Sequence, residues 1–331
     1  MFRQQIFLTG STGMLGNYLA RELSNKGYSV VALAEPNADT SSICDINNLT
    51  IVIGNILDSA FLSEAIRGCD YVIHAAASTS VVPARNKKVI EINLTGTLNI
   101  IEACCLNKIK RLVYVGSANS FGFGTMECPG DETKLCNSHS FGLDYIDSKF
   151  VAYKKVIEAV RENRINACVV CPTFMFGKFD SGKGSGSMIV AIAKGKLPGY
   201  TKGGRNFIYA KDVARAICNC VTIGKNGEAY ILGHQNLSYQ NAFNLIAKTI
   251  GVKPPKIKIP GWAALFYGRI NEAYCKLIGK NPTVTYALAK ISNKGFYYDS
   301  TKAVLELQLP QTPIDVAIKE CYMWLKTNNH F

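Results

Sequence analysis

The sequence predicts an α/β chain built on a doubly wound parallel sheet, with a smaller C-terminal lobe grown on the carboxyl side of its strands. Three observations predict it. Apolar β-type runs alternate with helically spaced segments through the first half, a glycine turn joins the first strand to the first helix, and the alternation breaks down after Pro172. Strand and helix signals in alternation mark a parallel sheet covered on both faces.

The pattern predicts strands over Gln5–Thr9, Ser29–Ala34, Thr50–Ile53, Tyr71–Ala75, Arg111–Gly116 and Ala167–Cys171. They are short and mostly apolar, as strands buried on both sides must be. Between them Met14–Lys26, Ser59–Arg67, Val89–Asn107 and Tyr145–Asn163 carry apolar residues at helical spacing. After Pro172, glycines cluster at Gly182, Gly184 and Gly186 and again at Gly203 and Gly204, and short helical and extended segments mix. The segment Pro260–Lys280 places Trp262, Leu265, Phe266, Ile270, Ala273, Tyr274 and Leu277 on one helical face. Packing against the sheet edge is the usual role of such a face. Lining a lipophilic pocket or touching a membrane are the alternatives.

The 331 residues, 48% hydrophobic and 18% charged, can bury a large core. No run approaches the ~18 apolar residues that span a bilayer. The opening Met1-Phe2-Arg3 runs directly into Ile6-Phe7-Leu8, too short a stretch for a signal peptide, so a cytoplasmic protein is expected. The twelve cysteines are scattered through apolar stretches and read as reduced core residues. Cys168 and Cys171 lie three apart in a strand, on opposite faces, which argues against a redox or metal pair. No metal is expected.

Residues 1–180 hold 17 Lys/Arg and 17 Asp/Glu, so the whole +13 excess falls in residues 181–331. A one-sided basic lobe suits an anionic substrate, a phosphate or a membrane surface, the bland alternative being a solvated exterior. There is no nucleic-acid motif.

Thr9-Gly10-Ser11-Thr12-Gly13-Met14-Leu15-Gly16 follows the first strand directly and opens the first helix. A turn this tight tolerates no Cβ at its glycines, and its backbone N–H groups and positive helix end can face a pyrophosphate. The spacing is Gly-x-x-Gly-x-x-Gly. Its place in the first strand–helix unit, where this topology puts nucleotides, supplies the specificity. Glu35, ending the second strand 25 residues after Gly10, can accept from ribose hydroxyls and would repel a 2′-phosphate. NAD is therefore the expected cofactor, with NADP left open. Asn55 and Ile56 suit an adenine edge and face, and Ala75, Ala76 and Ala77 leave room for the cofactor to pass closely.

Tyr145 and Lys149 stand four apart at the start of a helix and share a face. A free phenol has a pKa of ~10, and a nearby ammonium together with an oxidised nicotinamide favours the phenolate. Ser117, at the carboxyl end of the fifth strand, can hydrogen-bond the same substrate oxygen. These three residues are the candidate catalytic group.

Together they carry a resemblance to the extended short-chain dehydrogenase/reductases, which include nucleotide-sugar epimerases, dihydroflavonol reductases and 3β-hydroxysteroid dehydrogenases. The matching stretches are the glycine turn, Asp70–Ala77, Asn93–Asn99, Ser117–Gly122, Tyr145 with Lys149, Pro172, and Arg205–Ala214. The resemblance implies a Rossmann-type core over 1–172 and a mainly substrate-binding lobe over 173–331, with segments near 206–232 returning to the sheet. It implies that Tyr145 is the general acid/base, that Lys149 also holds the nicotinamide ribose, and that Pro172 and Phe174 meet the nicotinamide. Ser78, Asn119 and Arg205 are the substrate candidates it suggests.

The Asn293–Lys302 ending lacks the arginine of the sugar branch and looks closer to the dihydroflavonol-reductase, 3β-hydroxysteroid and hopanoid-associated branch. Arg205 dissents, matching a diphosphate-binding arginine of the sugar branch, and Glu35 departs from the arginine of NADP-using reductases. The sequence reading is an NAD-linked oxidoreductase interconverting a secondary alcohol and a ketone on a fairly apolar substrate, with an anionic group allowed. A nucleotide-sugar epimerase or dehydratase is the alternative. Small molecules are the expected partners, and a homodimer is compatible.

Overall fold

The computed structural model describes residues 3–134, 136, 138–182 and 184–331. The six predicted strands form within one residue of expectation: β1 (Gln5–Thr9), β2 (Ser29–Ala34), β3 (Leu49–Ile53), β4 (Tyr71–His74), β5 (Arg111–Val115) and β6 (Ala167–Pro172). The second half adds β7 (Phe174–Phe176), β8 (Gly199–Tyr200), β9 (Gly204–Tyr209), β10 (Ala229–Leu232), β11 (Gln235–Ser238), β12 (Ile257–Lys258) and β13 (Gly295–Phe296). The main sheet is parallel throughout, in the order β10-β6-β5-β4-β1-β2-β3. The order reverses between β1 and β4, the position where a doubly wound sheet opens a crevice at its carboxyl edge.

The helices of the first half are α1 (Met14–Asn25), α2 (Ser59–Ala65), α3 (Lys87–Ile90), α4 (Gly96–Leu106) and α5 (Asp144–Arg161). A π-helical turn, Glu91–Thr95, joins α3 to α4, so the single helix expected there carries an extra residue. That bulge turns Asn93 inward, where it is buried. The continuous run Lys87–Leu106 is, against expectation, long and apolar enough to cross a membrane by length and composition. Its Val89, Thr97, Ile100, Ile101 and Cys104 are nonetheless buried in the protein core.

The second half contributes α6 (Gly186–Ala193), α7 (Ala210–Ile223), α8 (Tyr239–Ile250), α9 (Gly261–Leu277), α10 (Tyr286–Ser292), α11 (Thr301–Leu307) and α12 (Ile314–Thr327). Two apolar cores, one on each side of the main sheet, divide the β-strand side chains by their alternation. Cys168 faces one core beside Cys220 and Cys171 the other, as the two-residue period requires. No disulfide joins cysteines among the described residues, and Cys44 and Cys128 are exposed and not in the core.

A second sheet, β11-β9-β13 with β7 on β9, sits over the carboxyl edge of the first. Its hub is Asn206, fully buried in β9. The Asn206 Oδ1 accepts from Thr173 Oγ1 at 2.8 Å and His234 N at 2.9 Å, and its Nδ2 donates to Asn236 Oδ1 at 2.8 Å and Tyr298 O at 3.2 Å. One amide thus satisfies four partners and fixes β7, β11 and β13 around one strand. Bridges from Gly124 to Tyr297 and from Gly130 to Tyr298 then tie the loop after β5 to this sheet.

Candidate active site

The three glycines of the first turn serve different ends. Gly10 has φ +72°, and a Cβ there would approach Ala76 N to 2.7 Å. A Cβ on Gly16 would overlap the Gly10 carbonyl, so turn and helix are pressed together by two missing side chains. Gly13 is the N-cap of α1, is exposed, and would present a Cβ only to Gly10 O, at 3.4 Å. Its absent side chain is not required by the protein. It keeps the helix N-terminus open, where the first-turn N–H groups can receive an anion.

Ser11 is buried and its hydroxyl donates to Leu33 O at 2.9 Å, tying the turn to β2, so only its backbone remains for a ligand. Thr12 is half-buried, Met14 packs on the core and Leu15 is buried in α1. Glu35 is exposed, one residue past β2. Asn55 is exposed beyond β3, its Oδ1 turned back to accept from Leu57 N at 3.0 Å. Ile56 corrects an expectation. It is buried and packs on Gly96, so its side chain does not present an open face to an adenine. Ala75, Ala76 and Ala77 are half-buried past β4, and Ala76 closes on Gly10.

A buried relay behind the turn was not foreseen. Thr97 Oγ1 donates to Asn93 O at 2.7 Å, so it accepts from His74 Nε2 at 3.0 Å. His74 Nδ1 is then the acceptor of the Thr9 hydroxyl at 2.8 Å, and Thr9 Oγ1 accepts in turn from Ala76 N at 3.0 Å. This assigns a neutral ring with its proton on Nε2. Burial, with Lys149 adding to it, pushes the His74 pKa down to about 3. Asn93 continues the chain, with Nδ2 donating to Ser78 O and Ser148 Oγ and Oδ1 accepting from Ser78 N at 2.8 Å. The signal was present in Asp70–Ala77 and Asn93–Asn99, but only as a family pattern.

Tyr145, Lys149 and Ser117 do converge. Tyr145 lies in the first turn of α5, where Ser117 favours ionisation of its phenol. Ser117 Oγ also accepts from Asn119 N at 3.3 Å, opening a short 3-10 turn. The buried Lys149 Nζ donates to Val115 O at 2.6 Å and lies 4.7 Å from the Tyr114 ring centre. Burial lowers its pKa to about 8. The charge balance at Tyr145 differs from expectation. Burial raises the phenol above its ordinary value, and the groups opposing the rise are Ser117 and the Arg205 cation. Lys149 is instead engaged by a carbonyl and an aromatic face.

Ser78 is clamped by Asn93, and Asn119 Oδ1 accepts from Tyr298 Oη at 3.5 Å. Arg205 lies between two rings, its Cζ 5.0 Å from Phe174 and 5.4 Å from Phe296, while its Nε donates to Tyr239 Oη at 3.0 Å. Pro172 ends β6 and is buried, and Phe174 therefore carries Arg205 on its face.

With this geometry in hand, residues 6–233 match the NAD dependent epimerase/dehydratase family. The chain belongs to that family. A candidate dihydroflavonol 4-reductase of Synechocystis sp. is 29% identical over 336 residues, covering 98% of this chain and 95% of its own. Sterol demethylase protein B of Methylococcus capsulatus is 23% identical over 325 residues, covering 96% and 97%. The crystal structure of gox2253 superposes with a TM-score of 0.87 at 27% identity, over 99% of this chain and 100% of that one. A nucleoside-diphosphate-sugar epimerase from Pseudomonas aeruginosa gives 0.81 at 25%, over 99% of each.

NAD is the cofactor of the epimerase/dehydratase family, and the residues fit it. The open face of Gly13 at the helix N-terminus suits a pyrophosphate, and the exposed Glu35 past β2 suits ribose hydroxyls. As a member, this chain is an NAD-dependent oxidoreductase or epimerase.

Proposed function

We propose that the chain is an NAD-linked oxidoreductase that interconverts a secondary alcohol and a ketone on a fairly apolar substrate with an anionic group. The observation that carries this reading is the aromatic wall sharing a core with Tyr145. Phe296 lies 4.5 Å from Phe123 and 5.5 Å from Phe141, and the guanidinium of Arg205 rests on Phe296 and Phe174. Phe141 and Phe296 are buried, so the aromatic surface left to a ligand is that of the half-buried Phe123 and Phe174; it favours an apolar body, and one cation at its edge favours one negative group.

Tyr145 gives its phenolic proton to the carbonyl oxygen during reduction and takes it back during oxidation. Burial keeps that proton on the phenol at neutral pH, while Ser117 and Arg205 ease its departure. Ser117 holds the same oxygen. NAD, when bound, supplies or accepts the hydride.

A second reading is favoured by one feature. Among the described residues the only hydrogen-bond partner of the Arg205 side chain is Tyr239, on Nε, which leaves its two terminal nitrogens as a fork for a diphosphate. That suits a nucleotide-sugar epimerase or dehydratase. Incubation with NADH and a panel of aryl and alkyl ketones, followed by cofactor absorbance and product chromatography, separates the two. Stoichiometric NADH consumption supports the oxidoreductase. Conversion of UDP-sugars with retained NAD, and no ketone turnover, overturns it.

A further inference from the structure

The apolar face of α9 does not pack against the sheet edge. Trp262, Phe266, Ile270, Tyr274 and Leu277 recur at helical spacing and are 73%, 63%, 49%, 59% and 85% exposed. The opposite face is the one used by the protein. There Gly268 and Cys275 are buried, a Cβ on Gly268 would approach Thr285 O to 2.9 Å, and Asn271 Oδ1 accepts from Val284 N. The helix is thus seated on α10 by its narrow side and turns its widest aromatic stripe to water. A continuous stripe of this kind marks a docking surface, since soluble chains scatter exposed apolar residues singly.

What docks is indicated by the charges around the stripe. Residues 251–280 contain six basic residues, Lys253, Lys256, Lys258, Arg269, Lys276 and Lys280, against Glu272 alone. All six are exposed, and Arg269 and Lys276 border the stripe on α9 itself. A second copy of the chain would bring the same positive lobe face to face with this one. An anionic surface is complementary to it. Tryptophan and tyrosine beside lysines and arginines are the composition that sits at the headgroup level of a bilayer.

We propose that α9 docks this enzyme on an anionic membrane surface, with its aromatic stripe inserted among the headgroups and its basic border paired with lipid phosphates. The inference goes beyond the proposed reaction and is measured without substrate. A chain that reduces no ketone can still bind vesicles.

The test is sedimentation with vesicles of phosphatidylglycerol and phosphatidylcholine, beside vesicles of phosphatidylcholine alone. Emission of Trp262 is read in a Trp324→Phe background, Trp324 being half-buried and bonded to Asp180 O. Anionic vesicles should pellet the full chain and shift the Trp262 emission to shorter wavelength, and added salt should weaken both effects. Trp262→Ser with Phe266→Ser, both exposed and so harmless to folding, should lower the partition coefficient about tenfold or more. Equal binding to neutral vesicles, no emission shift, or undiminished pelleting of the double variant overturns the proposal. So does a dimer that the double variant dissociates while vesicles bind neither protein, which would assign the stripe to a second copy.

Discussion

A Cβ on Gly16 would overlap the carbonyl oxygen of Gly10, whereas one on Gly13 would meet that same oxygen at 3.4 Å, an ordinary contact. Alanine at the two positions should therefore fail in different ways. Gly16→Ala forces turn and helix apart and should cost about 2 kcal/mol or more of stability. Gly13→Ala should cost under about 1 kcal/mol and weaken NADH binding about tenfold or more. Thermal melts and NADH titration of both variants check this. A Gly13→Ala protein with parental NADH affinity would remove the pyrophosphate from that helix end.

Tyr145→Phe deletes only the phenolic oxygen. The fold should persist, with turnover down about 10²–10⁴-fold, the usual scale of a lost acid/base. Steady-state kinetics on a reactive ketone decide it. Activity within about threefold of the parent would exclude Tyr145 from proton transfer.

Glu35 should make the chain prefer NADH to NADPH by about tenfold or more, because a 2′-phosphate beside it meets a like charge. Fluorescence titration with both reduced cofactors measures the ratio directly. Tighter NADPH binding would reverse the assignment.

Arg205→Lys keeps the charge and loses the fork and the planar stacking on Phe174 and Phe296. Apparent affinity for anionic substrates should fall about tenfold, with neutral analogues affected little. Equal loss for both, together with a lowered melting temperature, would make Arg205 a structural residue.

His74 gives the pH dependence. Its folded pKa of about 3 lies below the ordinary value of 6.5, so between those limits the unfolded chain binds the extra proton. Stability is therefore fully present above about pH 6.5 and declines by up to about 1.4 kcal/mol per pH unit as pH falls toward 3. In His74→Gln that contribution to the slope should vanish, as denaturant melts from neutral to acidic pH can establish. An unchanged slope would shift the acid sensitivity to other groups.

Six of the seven strands of the central sheet were legible because they are local signals, short apolar runs between turn residues, each found within one residue; β10 was expected only as part of the segments near 206–232. The π turn at Glu91–Thr95 was not, since the helical periodicity on either side of it continues unbroken in the sequence. Gly10, Gly13 and Gly16 were read as one motif, although the protein itself demands only two of them. The basic balance of the second half was visible, but the exposure of Trp262 and Phe266 was not. Helical spacing reports that a face exists and says nothing of what covers it.

By itself, the sequence determined the fold class, the glycine turn and the shared face of Tyr145 and Lys149, because each depends on spacing within a few residues. Only the tertiary structure brought Arg205, 60 positions away in the chain, near enough to favour ionisation of the Tyr145 phenol. It also decided that Ile56 turns inward and that the aromatic face of α9 turns outward. These outcomes rest on packing between segments distant in sequence, where burial and the Coulomb field depend on positions in space that no local pattern encodes.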